Sequence, residues 1–208
     1  EVAEEWHPSK NGEVRPSQVI AGSHAKYWWK CDVGEDHEWE APAKARTFSG
    51  TGCPFCRGLK VSVTNSLSVL FPDLATQWHP TKNLPIKPLE VVAGSNKKFW
   101  WKCDVADDHE WLTQVVERSS GKGCPFCRGL KVSTSNRLDT QFPEIAAEWH
   151  PVKNAPVTPS DVVAGSGKKY WWKCPEGLDH EWLTSVAHRT VSRTGCPFCA
   201  GNAVSSQS

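Results

Sequence analysis

Apolar positions fall in short bursts along this chain, and the sharpest burst alternates with lysine: Lys26, Tyr27, Trp28, Trp29, Lys30, Cys31. An aromatic run of this kind, entered from an Ala-Gly-Ser turn at 21–23, predicts a β-strand. Side chains of a strand point alternately to its two faces. Tyr27, Trp29 and Cys31 therefore share one side, and Lys26, Trp28 and Lys30 the other. A second strand is predicted to start near Glu38-Trp39. The stretches 57–78 and 128–149 read differently. Each opens on a short β-like run. Leu67, Leu70, Phe71, Leu74 and Trp78 then fall at helical spacing, as do Leu138, Phe142, Ile145 and Trp149. Asn65 and Asn136 are the expected helix caps, and Pro72 and Pro143 should split each stretch into two short helical turns.

The same pattern occurs three times. Trp6-His7-Pro8 returns as Trp78-His79-Pro80 and Trp149-His150-Pro151. Lys-Asn, Pro, Ala-Gly-Ser, Trp-Trp-Lys-Cys, Asp-His-Glu-Trp, Arg and Gly-Cys-Pro-Phe-Cys follow in that order in every copy. The predicted strand thus recurs with the same parity. Lys98, Trp100 and Lys102 lie opposite Phe99, Trp101 and Cys103, and Lys169, Trp171 and Lys173 lie opposite Tyr170, Trp172 and Cys174. The expected organisation is module 1 over 1–58, connector and module 2 over 59–129, connector and module 3 over 130–201, and a tail over 202–208. The fold class is small α+β repeats: tandem β-hairpin modules joined by short helical connectors that lock them into a semi-rigid array.

The 208 residues include 9 Cys, 12 Trp and no Met. The chain opens on Glu1, which reads as a region of a longer protein. Its first residues do not resemble a signal peptide, and no apolar run is long enough to span a bilayer. An odd number of cysteines suits a disulfide framework badly and suits three sets of three well. The sets are Cys31, Cys53, Cys56; Cys103, Cys124, Cys127; and Cys174, Cys196, Cys199. In each, a Cys-Pro-Phe-Cys knuckle can converge with the strand cysteine on one ion. A fourth ligand comes from His37, His109 and His180, which stand at one offset from the strand cysteine. Their rivals are His7, His79 and His150, equally recurrent but better read as packing or supporting residues. His24 and His188 do not recur and are read as surface residues. Three thiolates and one imidazole suit Zn(II), with no position left for substrate or activated water. The expectation is three structural zinc ions per chain and no enzyme activity. Metal-ligand cysteines also point to a reducing, intracellular compartment. Modules of about 50 residues bury little core, and zinc offsets that.

The formal net charge is +1. Each Cys3His zinc site adds about −1, which takes the loaded chain to about −2. Attraction to nucleic acid must therefore come from local patches. The candidate contacts are Lys26, Trp28, Lys30 and Arg46; Lys98, Trp100, Lys102 and Arg118; and Lys169, Trp171, Lys173 and Arg189, with cations on phosphates and rings stacking on bases. The bland alternative makes the outer tryptophan a platform for the connector helices carrying Trp6, Trp78 and Trp149. Acids cluster instead beside the histidine, as Glu35, Asp36 and Glu38 do, and one of them could orient the imidazole.

The ordered motifs, with Asn-Ser-Leu at 65–67 between copies, resemble a family of tandem zinc-ribbon or treble-clef zinc-finger domains. The resemblance covers nearly the whole chain. It implies zinc-stabilised β-rich modules, at times beside nuclease-like domains, and so nucleic-acid work by association. The leading expectation is a non-catalytic DNA- or RNA-binding array. The alternative is a protein-interaction scaffold, since Trp and Arg are common interface anchors. Neither a membrane nor a small-molecule substrate is expected.

Overall fold

The computed structural model describes residues 2–205. Each repeat builds one two-stranded antiparallel sheet: β1 (Lys26–Lys30) with β2 (Glu38–Pro42), β3 (Lys98–Lys102) with β4 (Glu110–Gln114), and β5 (Lys169–Lys173) with β6 (Glu181–Ser185). Trp28 faces Glu40 and Trp29 faces Trp39 in the first; Trp171 faces Leu183 and Trp172 faces Trp182 in the third. Trp29, Trp101 and Trp172 are buried, and Trp28, Trp100 and Trp171 are half-buried, the parity that alternation requires.

The helices are each only four or five residues long: α1 (Ala43–Thr47), α2 (Leu67–Leu70), α3 (Pro72–Ala75), α4 (Val115–Ser119), α5 (Leu138–Gln141), α6 (Pro143–Ala147) and α7 (Val186–Thr190). Pro72 and Pro143 open α3 and α6, so each connector is split where expected. Two connector readings need correction. Residues 57–62 form no strand, because the chain folds back over the knuckle at Gly58 (φ +67°) and Leu59 N donates to Pro54 O. Asn65 does not cap a helix. Its Oδ1 accepts from Ser62 N (2.8 Å) and its Nδ2 donates to Phe55 O and Lys60 O, tying connector to knuckle. Asn136 makes the same bonds to Ser133, Phe126 and Lys131.

A third reading is corrected by packing. Trp6, Trp78 and Trp149 rest on the inner face of the strand, not on the outer tryptophans. Their backbones bridge to Trp29, Trp101 and Trp172, and their indoles meet those rings edge-on at 5.3–5.4 Å. They also lie against Tyr27, Phe99 and Tyr170 at 4.6–4.9 Å. Edge-to-face pairs of this kind suit the aromatic quadrupole and add to the apolar area buried.

Contacts divide the chain into two compact units, residues 1–102 with 111–122, and residues 103–110 with 123–208. In the first unit Trp29, Trp39, Cys31 and Cys53 form one core cluster. In the second, Leu138, Trp149, Val162, Trp172 and Val186 form another with Cys174 and Cys196. No helix among the described residues is long and apolar enough to cross a membrane.

Candidate metal centres and the lysine–tryptophan face

Each strand delivers its cysteine at its carboxyl end, the hairpin loop delivers the histidine, and the knuckle delivers the other two thiols. The groups Cys31, His37, Cys53, Cys56; Cys103, His109, Cys124, Cys127; and Cys174, His180, Cys196, Cys199 each bring four ligand atoms within 4.8 Å of one another. Cys31 N donates to His37 O (3.1 Å), which closes the loop and sets cysteine beside histidine; Cys103 and Cys174 repeat this with His109 and His180.

The spacings fit zinc. Sγ of Cys31 and Cys56 are 3.6 Å apart, and Nδ1 of His37 lies 3.6 and 3.5 Å from the sulfurs of Cys53 and Cys56. Zn–S of ~2.3 Å and Zn–N of ~2.0 Å in a tetrahedron require edges of about 3.5–3.8 Å. The second and third groups keep to 3.5–3.8 Å as well. No disulfide joins these cysteines. Desolvation, then hydrogen bonding to the neighbouring cysteines, pushes the Cys56, Cys127 and Cys199 thiols up to about 12. Thiols crowded in this way become thiolates together only around a cation. The three clusters each suit one structural zinc ion.

The structure assigns the rest of the His37 and His109 imidazoles as well. With Nδ1 toward the sulfurs, Nε2 of His37 meets Ser62 Oγ at 3.1 Å and Thr64 Oγ1 at 2.9 Å. Nε2 of His109 meets Ser133 Oγ and Ser135 Oγ, each at 3.0 Å. The ring stacks on the knuckle phenylalanine, 4.9–5.0 Å between centroids, in all three repeats. These hydroxyls hold the proton on Nε2 and leave Nδ1 free to ligate. They were missed in the sequence, where the recurrent Ser-x-Ser/Thr-Asn after each of the first two knuckles was the available signal. The loop acid stands beside the ring, with Asp36 Oδ1 3.9 Å from His37 Nε2, and also ties the hairpin to the connector. Asp36 Oδ2 accepts from Val63 N (2.9 Å), and Asp108 Oδ2 from Thr134 N (2.6 Å), a bond that lowers the Asp108 pKa. On the third repeat Ser205 Oγ donates to Asp179.

The Trp-His-Pro histidines stand apart from the metal clusters. Nδ1 of His7 accepts from the backbone of Ser9 and Lys10, and Nε2 lies 3.1 Å from Glu38 Oε1. His150 repeats this with Val152, Lys153 and Glu181, and His79 Nδ1 accepts from Thr81 and Lys82. Each is a buried fastener for its loop. Lys10 and His7 hold the Glu38 carboxyl down at about 2, the Lys10 hydrogen bond contributing most.

Arg46, Arg118 and Arg189 are corrected from phosphate contacts to core residues. They sit on α1, α4 and α7 and are 4–7% exposed. The Arg46 guanidinium lies 5.2 and 5.3 Å from the Trp29 and Trp39 rings and bonds Thr51 O and Glu5. Arg118 and Arg189 repeat the sandwich, with Gln77 and Glu148 in place of Glu5. Burial lowers the Arg46 pKa while nearby Cys53 opposes the shift.

The outer face keeps its lysines. Lys26, Lys98 and Lys169 are exposed on the strand. Lys30 and Lys173 reach within 3.5 and 3.7 Å of Glu38 and Glu181, and Lys102 is half-buried. A further lysine, from the Lys-Asn pair, lies over each outer indole: Lys10 over Trp28 at 4.5 Å, Lys82 over Trp100 at 4.4 Å, Lys153 over Trp171 at 4.1 Å. The adjoining Asn11 brackets the strand, donating to Trp28 O and accepting from Trp28 N, and Asn83 and Asn154 do the same.

No curated protein matches the chain. A family described as "Probable Treble clef zinc finger domain" matches three times, at residues 2–59, 74–130 and 145–202, so that each match holds one four-ligand cluster. Hairpin, knuckle and ligand geometry agree with that match over most of the sequence, and the chain belongs to this treble-clef zinc-finger family.

Proposed function

We propose that the chain is a non-catalytic nucleic-acid-binding array in which zinc holds three copies of one lysine–tryptophan face. The observation that carries this reading is the arrangement around Trp28, Trp100 and Trp171. In every repeat a half-exposed indole is flanked by strand lysines and covered by a lysine from the Lys-Asn loop. Such a group offers cations for phosphates and, once the loop lysine swings aside, a flat ring for a base. The candidate contacts are Lys26, Lys30, Lys98, Lys102, Lys169 and Lys173 with those three tryptophans and Lys10, Lys82 and Lys153. With Arg46, Arg118 and Arg189 in the core, the cations of this face are lysines. That favours the sequence-tolerant attraction of ammonium to phosphate over base-edge readout.

One observation favours the protein-interaction alternative. Trp171 is paired with Leu183, and Leu183 and the corresponding Leu112 are 50% and 48% exposed, so the outer face is partly apolar in two repeats. Titrating the zinc-loaded chain with single- and double-stranded oligonucleotides at several salt concentrations separates the readings. Phosphate contacts give a fall of log K with log salt of about −0.7 per contact on single strands. Replacing Lys26, Lys98 and Lys169 with Glu should abolish binding with the fold intact. Flat titrations at low salt would overturn the proposal in favour of a protein partner.

A further inference from the structure

The loop from α7 to the third knuckle holds one residue in an unfavourable backbone conformation. Arg193 has φ +51°, in the left-handed region, and among the described residues no other residue with a side chain lies there. At the same distance ahead of the first knuckle cysteine, the other repeats place Gly50 (φ +58°) and Gly121 (φ +91°). Glycine enters this region without a steric penalty, and arginine does not. A side chain kept at such a position points to a use for it.

Arg193 borders a cavity of about 490 Å³, lined also by Phe142, Glu144, Ile145, Glu148 and Arg189. Arg189 is already engaged, donating to Glu148 and to Thr194 O, so these two charges offset each other. Arg193 and Glu144 are exposed, and among the described residues neither side chain has a hydrogen bond or an ion pair. An unpaired guanidinium, an unpaired carboxylate and two apolar side chains thus border one space. Part of that space is open for a reason visible in the sequence. In the first two repeats the stem of the arginine after the knuckle lies over a glycine: Cδ of Arg57 and Arg128 are 4.0 and 3.6 Å from where a Cβ on Gly52 and Gly123 would stand. The third repeat has Ala200 in place of that arginine, and nothing lies within 4 Å of the same point on Gly195, which lines the cavity.

We propose that this cavity takes an unstacked guanine base of a single-stranded nucleic acid, an inference that rests on the nucleic-acid reading above. Guanine carries the acceptors O6 and N7 on one edge and the donors N1–H and N2–H on another. Arg193 would donate to the first edge and Glu144 would accept from the second. Phe142 and Ile145 would lie against the flat ring. Adenine puts an amino group where guanine has O6, and the pyrimidines lack N7, so neither satisfies both charged groups. The lysine–tryptophan faces would supply sequence-tolerant affinity, and this cavity a preference for one base.

The test uses the whole zinc-loaded chain and short labelled single strands of thymidine with one central guanine, adenine or cytosine. The guanine strand is expected to bind about tenfold more tightly than the other two. Exchanging its guanine for 7-deazaguanine, which lacks N7, or for hypoxanthine, which lacks the N2 amino group, should remove most of that preference. Arg193→Gly should remove it too, with the fold kept or made more stable, because glycine is what the other repeats carry at this φ. Glu144→Ala should do likewise, and both variants should keep the salt-dependent affinity for the adenine and cytosine strands. Salt-dependent binding with no guanine preference, or a preference that Arg193→Gly leaves intact, would overturn the site and leave the lysine–tryptophan reading standing. No binding of any strand would overturn both.

Discussion

Nε2 of His37 lies 3.1 Å from Oγ of Ser62, so the connector leaving the first repeat holds the metal ligand of the repeat that it has just left. The same segment then inserts Leu67 beneath the next hairpin. The Ser62 and Thr64 hydroxyls accept from the imidazole N–H at Nε2 and fix the ring. Replacing them with Ala and Val should lower zinc affinity of the first site by about 10–100-fold while the third site is unchanged. Competition with a chromophoric chelator, with three release steps resolved, checks this.

Metal removal is expected to be felt by the tryptophans. The ligand sulfurs of Cys31 and Cys53 belong to the same cluster as Trp29 and Trp39. Structural zinc supplies on the order of 10 kcal/mol of folding free energy in small modules. Chelation should therefore abolish the near-UV dichroism of the indoles, and reloading should restore it at three zinc equivalents per chain. Elemental analysis with dichroism measures both.

Neighbouring tryptophans should respond in opposite ways. Trp29 is buried against Trp6 and Trp39, and Trp29→Ala should cost about 3–5 kcal/mol. Trp28 is half-buried under Lys10, and Trp28→Ala should leave the fold and zinc content intact while reducing oligonucleotide affinity. Denaturation and binding curves on the two variants provide the comparison.

Arg46 should behave as a core residue. Arg46→Met removes two desolvated cation–π contacts and the Glu5 pair, and should cost about 2–3 kcal/mol. The salt slope of oligonucleotide binding should not change. A reduced slope in a folded variant would return this residue to the phosphate-contacting set.

Acid should act through the ligands first. The folded Glu38 carboxyl stands at about 2, below its ordinary 4.5. Its share of stability is fully present above 4.5 and is lost only as pH falls from there towards 2. Thiolates and imidazoles take up protons well before that as they release metal. Glu38→Gln should thus leave the pH midpoint of zinc release in place, as read by a zinc-sensitive dye alongside far-UV dichroism.

Much of this protein was legible as a one-dimensional pattern. The ligand sets followed from spacing, because a knuckle and a hairpin are local structures whose geometry survives any packing. Strand parity followed from alternation, since a cysteine that must reach the ion fixes which indole turns inward. Pro72 and Pro143 interrupt helices wherever they stand, so the split connectors were legible too. Long-range partnership was decided only by the tertiary structure. Arg46 reads as a surface cation until Trp29, Trp39 and Glu5 are seen to close around it. Asn65 reads as a helix cap until the knuckle carbonyls are seen to claim its amide. Side-chain chemistry within a few residues is set by covalent geometry. Which distant segment desolvates a group depends on how the whole chain folds back on itself.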